Sequence, residues 1–131
     1  MKLVTQQSPM GCAVAATASF LDSDYCSTLK LFDNGYIKHS VYGFYVYDVV
    51  RALKRKNIIT KAYNIKRERP RFKIGDIVFL RDEADDPFGH YLLKTRGGWM
   101  DSWKNFPSIN PAKAGYRKRL PGKPEWLIRV I

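Results

Sequence analysis

Gln6-Gln7-Ser8-Pro9-Met10-Gly11-Cys12-Ala13-Val14-Ala15-Ala16-Thr17-Ala18-Ser19-Phe20 is the stretch on which the fold turns. The Ala-rich run from Cys12 predicts a helix to Leu21, because Ala13, Ala15, Ala16 and Ala18 are strong helix formers. Their small side chains allow neighbouring strands to approach closely. Ser8-Pro9-Met10-Gly11 is a loop leading into it. Cys12 therefore falls in the first helical turn, where the positive end of the macrodipole favours thiolate, the nucleophilic form. Gln6 is close enough along the chain to aim its amide at an oxyanion beside that sulfur. Gln7 is adjacent and competes for the role. A cysteine on an Ala-rich helix can equally be a small core residue.

Downstream, a coarse reading continues helix, then strand. Asp22-Ser23-Asp24 ends the first helix and caps a short second one over Tyr25–Phe32. Asp33-Asn34-Gly35 is a turn. A third helix fits Phe44–Lys56, with Val46, Val49, Val50 and Leu53 on one stripe. Strands are expected over Ile58–Ile65 and Ile74–Leu80, separated by a basic loop, Lys66–Phe72, that Pro70 interrupts. Arg81–Pro87 is an acidic loop. His90–Lys94 and Trp99–Trp103 form a hairpin around Thr95-Arg96-Gly97-Gly98, a register that sets Asp101 opposite Leu92 and close to His90. Asn105–Pro124, rich in Pro, Gly and Lys, is an irregular excursion before a closing strand, Trp126–Ile131. Helices followed by an antiparallel sheet define an α+β fold, expected as a single domain over residues 1–131.

His90 and Asp101 complete a possible nucleophile, base and orienting group with Cys12. A base must be held rigidly with its tip toward the sulfur, and an acceptor on its far nitrogen fixes the tautomer. Each residue also has a plainer reading. His90 can be a strand-end residue, Asp101 an exposed strand carboxylate, and Trp103 core rather than a cover over the pair. The other histidine, His39, lies in a turn-rich region and is expected at the surface. The second cysteine, Cys26, is expected as a small core residue, and no Cys/His spacing suits a metal.

Four features together resemble the papain-like cysteine peptidases: Gln6 before Cys12, Cys12 opening a helix, His90 entering an apolar strand, and Asp101-Ser102-Trp103 soon after. That family usually carries Asn in an Asn-Ser-Trp run, and Asp101 stands in its place. Within it the chain most resembles the peptidases that trim double-glycine leaders of bacteriocins, although Gly11 and Ala13 flank the cysteine where those enzymes usually have Asp and Gly. The resemblance covers roughly residues 4–21 and 73–106. It implies a papain-like fold with N-terminal helices on an antiparallel sheet, a Cys12–His90–Asp101 triad assisted by Gln6, a peptide or protein substrate, and neither metal nor organic cofactor. Lys73-Ile74-Gly75-Asp76 through Gly89-His90-Tyr91-Leu92-Leu93 is also similar to NlpC-type murein amidases and endopeptidases, whose usual Asp-Cys-Ser-Gly is absent. Transfer rather than hydrolysis, or a frame without turnover, would use the same residues.

Charge is divided between the halves. Residues 1–50 carry net −1 and residues 51–131 net +12, together the formal +11. Lys54-Arg55-Lys56, Lys66-Arg67-Glu68-Arg69-Pro70-Arg71 and Arg117-Lys118-Arg119 cluster in the basic half. Such a field suits nucleic acid or another acidic polymer, and the alternative outside the enzymes is a basic binding module. A solvated basic face without a dedicated partner has the same composition. No apolar run is long enough to span a bilayer, and no signal-peptide core precedes Gln6, so the default expectation is cytoplasmic. A phage-encoded or non-classically exported protein would begin in the same way.

Overall fold

The computed structural model describes residues 1–68, 70–82, 86–108 and 111–131. Helix α1 (Cys12–Phe20) starts where the sequence places it. Every residue from Cys12 to Ser19 is buried, so α1 is a central helix with no polar face. Its polar side chains are satisfied internally: the Thr17 hydroxyl donates to the Ala13 carbonyl and the Ser19 hydroxyl to the Lys2 carbonyl. Helix α2 (Tyr25–Leu29) is capped by the Asp24 carboxylate, which accepts from the Ser27 amide. It stops at Leu29, short of the expected Phe32.

The segment read as turn-rich forms a short helix α3 (Gly35–Ile37) running into a π-helical turn (Lys38–Tyr42) that Gly43 ends at φ +76°. This corrects the expectation for His39. It is buried, with Nδ1 3.0 Å from the Tyr25 hydroxyl, and its backbone carbonyl accepts from the Met10 amide. Helix α4 (Val46–Lys54) buries Val46, Val49, Ala52 and Leu53, while Val50 is only partly covered. It opens at Val46 rather than Phe44 because the buried Asp48 carboxylate turns back to accept from the Tyr45 amide.

Strands β1 (Thr60–Asn64), β2 (Ile77–Asp82), β3 (Asp86–Thr95), β4 (Gly98–Asp101), β5 (Gly115–Arg117) and β6 (Lys123–Val130) form one six-stranded sheet in the order β1-β6-β2-β3-β4-β5. Every neighbouring pair is antiparallel. β2 begins at Ile77 instead of Ile74 because Gly75, at φ +97°, and an Asp76 carboxylate accepting from the Lys73 amide make a turn first. The expected Arg81–Pro87 loop is narrower than anticipated: β2 runs on to Asp82 and β3 begins at Asp86, and 83–85 lie outside the described residues. The irregular excursion contains β5, a strand its composition concealed. α1 packs on β3 and β4, and α4 on β1 and β6. The main core lies between this helical layer and the sheet, where α1 alanines meet Tyr91, Leu93 and Met100. A smaller core of Val78, Leu80, Leu92, Trp99 and Leu127 lies beneath Phe72 and Leu120. This is the α+β, papain-like arrangement of helices against an antiparallel sheet.

Candidate active site

The first turn of α1 faces a cleft of about 1180 Å³ whose lining includes Gln6, Cys12, His90 and Asp101. All four residues singled out in the sequence therefore reach one space. Gly11 precedes the helix without a side-chain cap, so its first amides keep their donor capacity for another acceptor. A side chain at Gly11 would have no room, since a Cβ there would lie 2.0 Å from the Tyr25 hydroxyl.

β3 and β4 set the His90 ring against the Asp101 carboxylate. Leu92 pairs with Asp101, as the sequence register anticipates, and His90 lies two residues back along β3. His90 Nε2 and Asp101 Oδ1 are 2.6 Å apart. The same oxygen accepts from the Trp103 amide at 2.9 Å. With Nε2 committed to the carboxylate, Nδ1 is the ring nitrogen left for chemistry. Burial works against a charged His90 ring, but the charge of Cys12 and the bond to Asp101 outweigh it and raise the imidazole to about 10. Asp101 shows the reciprocal effect. Burial alone would raise its carboxyl, yet the bonds from His90 and Arg117 hold it down at about 2. The electrostatics therefore favour a charged His90 ring beside the Asp101 carboxylate.

Arg117 was not singled out as a site residue. It stands on β5 opposite Trp99, which makes it a diagonal neighbour of Asp101 across the β4–β5 pair. Its Nε donates to Asp101 Oδ2 at 2.7 Å. The sequence signal for it was only a basic cluster in a stretch read as irregular.

Gln6 is buried and bound on all sides. Its Oε1 accepts from the Ser102 hydroxyl at 2.7 Å, and its Nε2 donates to the carbonyls of Ser8 and Pro9 at 3.0 and 3.1 Å. Ser102, the residue after Asp101, thus ties the start of the chain to the end of β4. Gln7 takes no such place: its Oε1 lies 3.6 Å from the exposed Cys26 sulfur. Cys26 is not a core residue as expected, because the exposed side of α2 carries it. Both cysteines are free thiols. Trp103 is half-buried along the cleft, with its ring nitrogen donating to the Ser108 carbonyl and its ring edge-to-face with Phe106.

Aromatic side chains dominate the rest of the lining, among them Tyr42, Tyr47, Phe79, Tyr91 and Trp126. The Tyr91 hydroxyl donates to the Phe44 carbonyl at 2.8 Å and so fixes the wall that follows the π-helical turn to the sheet. Among the described residues no group of three or more His, Cys, Asp and Glu side chains is arranged to hold a metal ion. No helix among them is long and apolar enough to cross a membrane.

No protein-family model matches the chain, and no curated protein matches it in sequence. Among solved structures it is similar to the peptidase domain of Streptococcus ComA, a bi-functional ABC transporter involved in a quorum sensing pathway. The TM-score is 0.61 at 16% identity, over 98% of this chain and 96% of that one. The likeness is one of fold, and it extends through residues 22–72 and the C-terminal part, where the sequence matched no family.

Proposed function

We propose that this chain is a cysteine peptidase that hydrolyses a peptide bond through an acyl-thioester on Cys12. The observation that carries this reading is the 2.6 Å His90–Asp101 bond in the cleft that Cys12 lines, with the charge of Cys12 acting on the same imidazole. The peptidase-domain fold supports it.

In the reading, the Cys12 thiolate attacks the scissile carbonyl carbon and the His90 imidazolium stands beside it. The tetrahedral oxyanion accepts from the Cys12 backbone amide at the uncapped start of α1. Gln6 joins by exchanging one of its bonds to Ser8 or Pro9 for one to the oxyanion; the other bond and Ser102 keep it in place. Collapse expels the amine, which takes its proton from His90. The neutral imidazole then draws a proton from water, and hydroxide attack on the thioester releases the acid and restores the thiolate. Asp101 stays ionised throughout and orients the ring. The substrate is a polypeptide chain, with leader peptides containing Gly-Gly as the first candidates.

The test is hydrolysis of such peptides by the parent protein and by Cys12→Ala, with purified murein and single-stranded DNA beside them. Cys12-dependent cleavage of peptide is the expected result, and Cys12→Ala should retain substrate binding. Cys12-dependent cleavage of murein alone would make the protein a cell-wall hydrolase. Salt-sensitive DNA binding with no Cys12-dependent hydrolysis would leave only a basic binding module.

A further inference from the structure

Asp101 is the least exposed charged group of the cleft, at 1%. It accepts from three donors: the His90 ring, the Trp103 amide and Arg117 Nε. It has none of its own to satisfy. An ionised carboxylate so deeply buried requires a compensating charge, and the β5 guanidinium meets that requirement at 2.7 Å. Arg117 is itself anchored by an NH2 bond to the Lys104 carbonyl at 3.2 Å. The charged and titratable groups around the His90 ring come from three elements: Cys12 on α1, Asp101 on β4 and, behind Asp101, Arg117 on β5.

We infer that Arg117 is a positioning residue for the base: it holds Asp101 ionised and oriented, and it makes a carboxylate rather than an amide the required side chain at position 101. The inference rests on the peptidase reading for its catalytic consequence, but its physical content does not depend on turnover. Two effects follow from the geometry. First, Arg117 shares Asp101 with His90, so it tempers the pull of the carboxylate on the imidazolium. Removing that cation makes the ring harder to deprotonate. Second, an amide at position 101 whose oxygen serves His90 and Trp103 turns its NH2 toward Arg117 Nε. Two donors then face each other, and neither has an acceptor. The Asn of the papain family suits a site without such a guanidinium; this site has one.

The test follows the His90 ring directly, by 15N and 1H shifts over a pH titration in a Cys12→Ala background. Arg117→Gln should move the ring's titration upward, by up to about one pH unit. Arg117→Lys, which keeps the charge without the fork, should return most of that shift. A folded Arg117→Gln protein whose His90 titration is unmoved overturns the inference. Should Arg117→Gln fail to fold, Arg117→Met, which removes the charge and keeps the length of the side chain, decides in its place: a titration displaced upward supports the inference, and one identical to the parent's overturns it. In the active protein, Arg117→Gln should lower kcat about tenfold or more while KM stays within about twofold. Asp101→Asn/Arg117→Gln should be several-fold faster than Asp101→Asn alone, because the Gln oxygen can accept from the amide. A double variant no faster than Asp101→Asn counts against the selection of a carboxylate. Absence of any Cys12-dependent hydrolysis would undo the peptidase reading and leave the titration to decide on Arg117.

Discussion

Gly89→Ala places a methyl group into an aromatic ring one residue from His90. A Cβ at Gly89 would lie 2.2 and 2.4 Å from Phe79 Cζ and Cε2, and 3.1 Å from the Leu80 carbonyl oxygen. The residue also sits at φ +81°, where an L side chain is strained. Two costs therefore add. The left-handed backbone contributes about 1–2 kcal/mol. The collision is an overpacking worth about 1–3 kcal/mol, because Phe79 cannot swing freely: its ring packs on Tyr91 at 5.0 Å. The expected loss is about 2–5 kcal/mol, read as a lower urea midpoint at unchanged slope. Phe79→Leu in the same chain should recover the collision share and leave the backbone share. The double-mutant cycle should show a coupling of about 1–3 kcal/mol in favour of the pair. Where the variant still folds, a shift of His90 by about 1 Å should slow hydrolysis by about a hundredfold. A Gly89→Ala loss below about 0.5 kcal/mol, or a cycle with no coupling, would refute the reasoning.

Cys12 and Cys26 should label differently with iodoacetamide near neutral pH: Cys12 reacts faster despite its burial, and His90→Ala removes that advantage without changing Cys26, read by peptide mapping. Equal rates at the two would remove the case for an activated thiolate. His90 is raised in the folded protein to about 10 from 6.5. Its interactions therefore stabilise fully below about pH 6.5 and are lost as pH rises through about 10. Urea midpoints of the parent and of His90→Gln should differ most below pH 6.5 and converge above 10. Asp101 is held down at about 2 from 3.8, so its contribution is present above about pH 4 and lost as pH falls toward 2. Asp101→Ala should be less active than Asp101→Asn, since an amide oxygen still accepts from the imidazole. Tyr91→Phe should cost about 1–3 kcal/mol by leaving the buried Phe44 carbonyl unpaired, measured by chemical denaturation.

Local rules carried a definite part of this protein. The Ala-rich run after Gly11 favours a helix, and Cys12 begins it. The turn at Arg96 and Gly97 fixed the hairpin register, and with period-two alternation that register alone set Asp101 opposite Leu92. Those two facts put Cys12 at a helix start and Asp101 near His90 before any packing is known; grouping the three as a triad is what the resemblance implies. Gln6 was expected beside the sulfur; it lines the same cleft as Cys12, and its bond to Ser102, 96 positions away, depends on where the chain returns.

What escaped the sequence has a common cause. His39 looked like a surface residue because it follows Ile37-Lys38 in a turn-rich stretch; it is buried because α2 brings Tyr25 over it, and the π-helical turn is held by contacts that no local period announces. Cys26 looked like a core residue by its type, yet a five-residue helix has one buried side and the cysteine falls on the other. β5 is three residues long within a Pro- and Lys-rich stretch, and β4 supplies the backbone partners that make it a strand. Arg117 rides on that strand. Its charge was countable from composition, but charge is a scalar and an ion pair is a place. Only the return of β5 alongside β4 turns one cation of a basic cluster into the partner of a buried carboxylate.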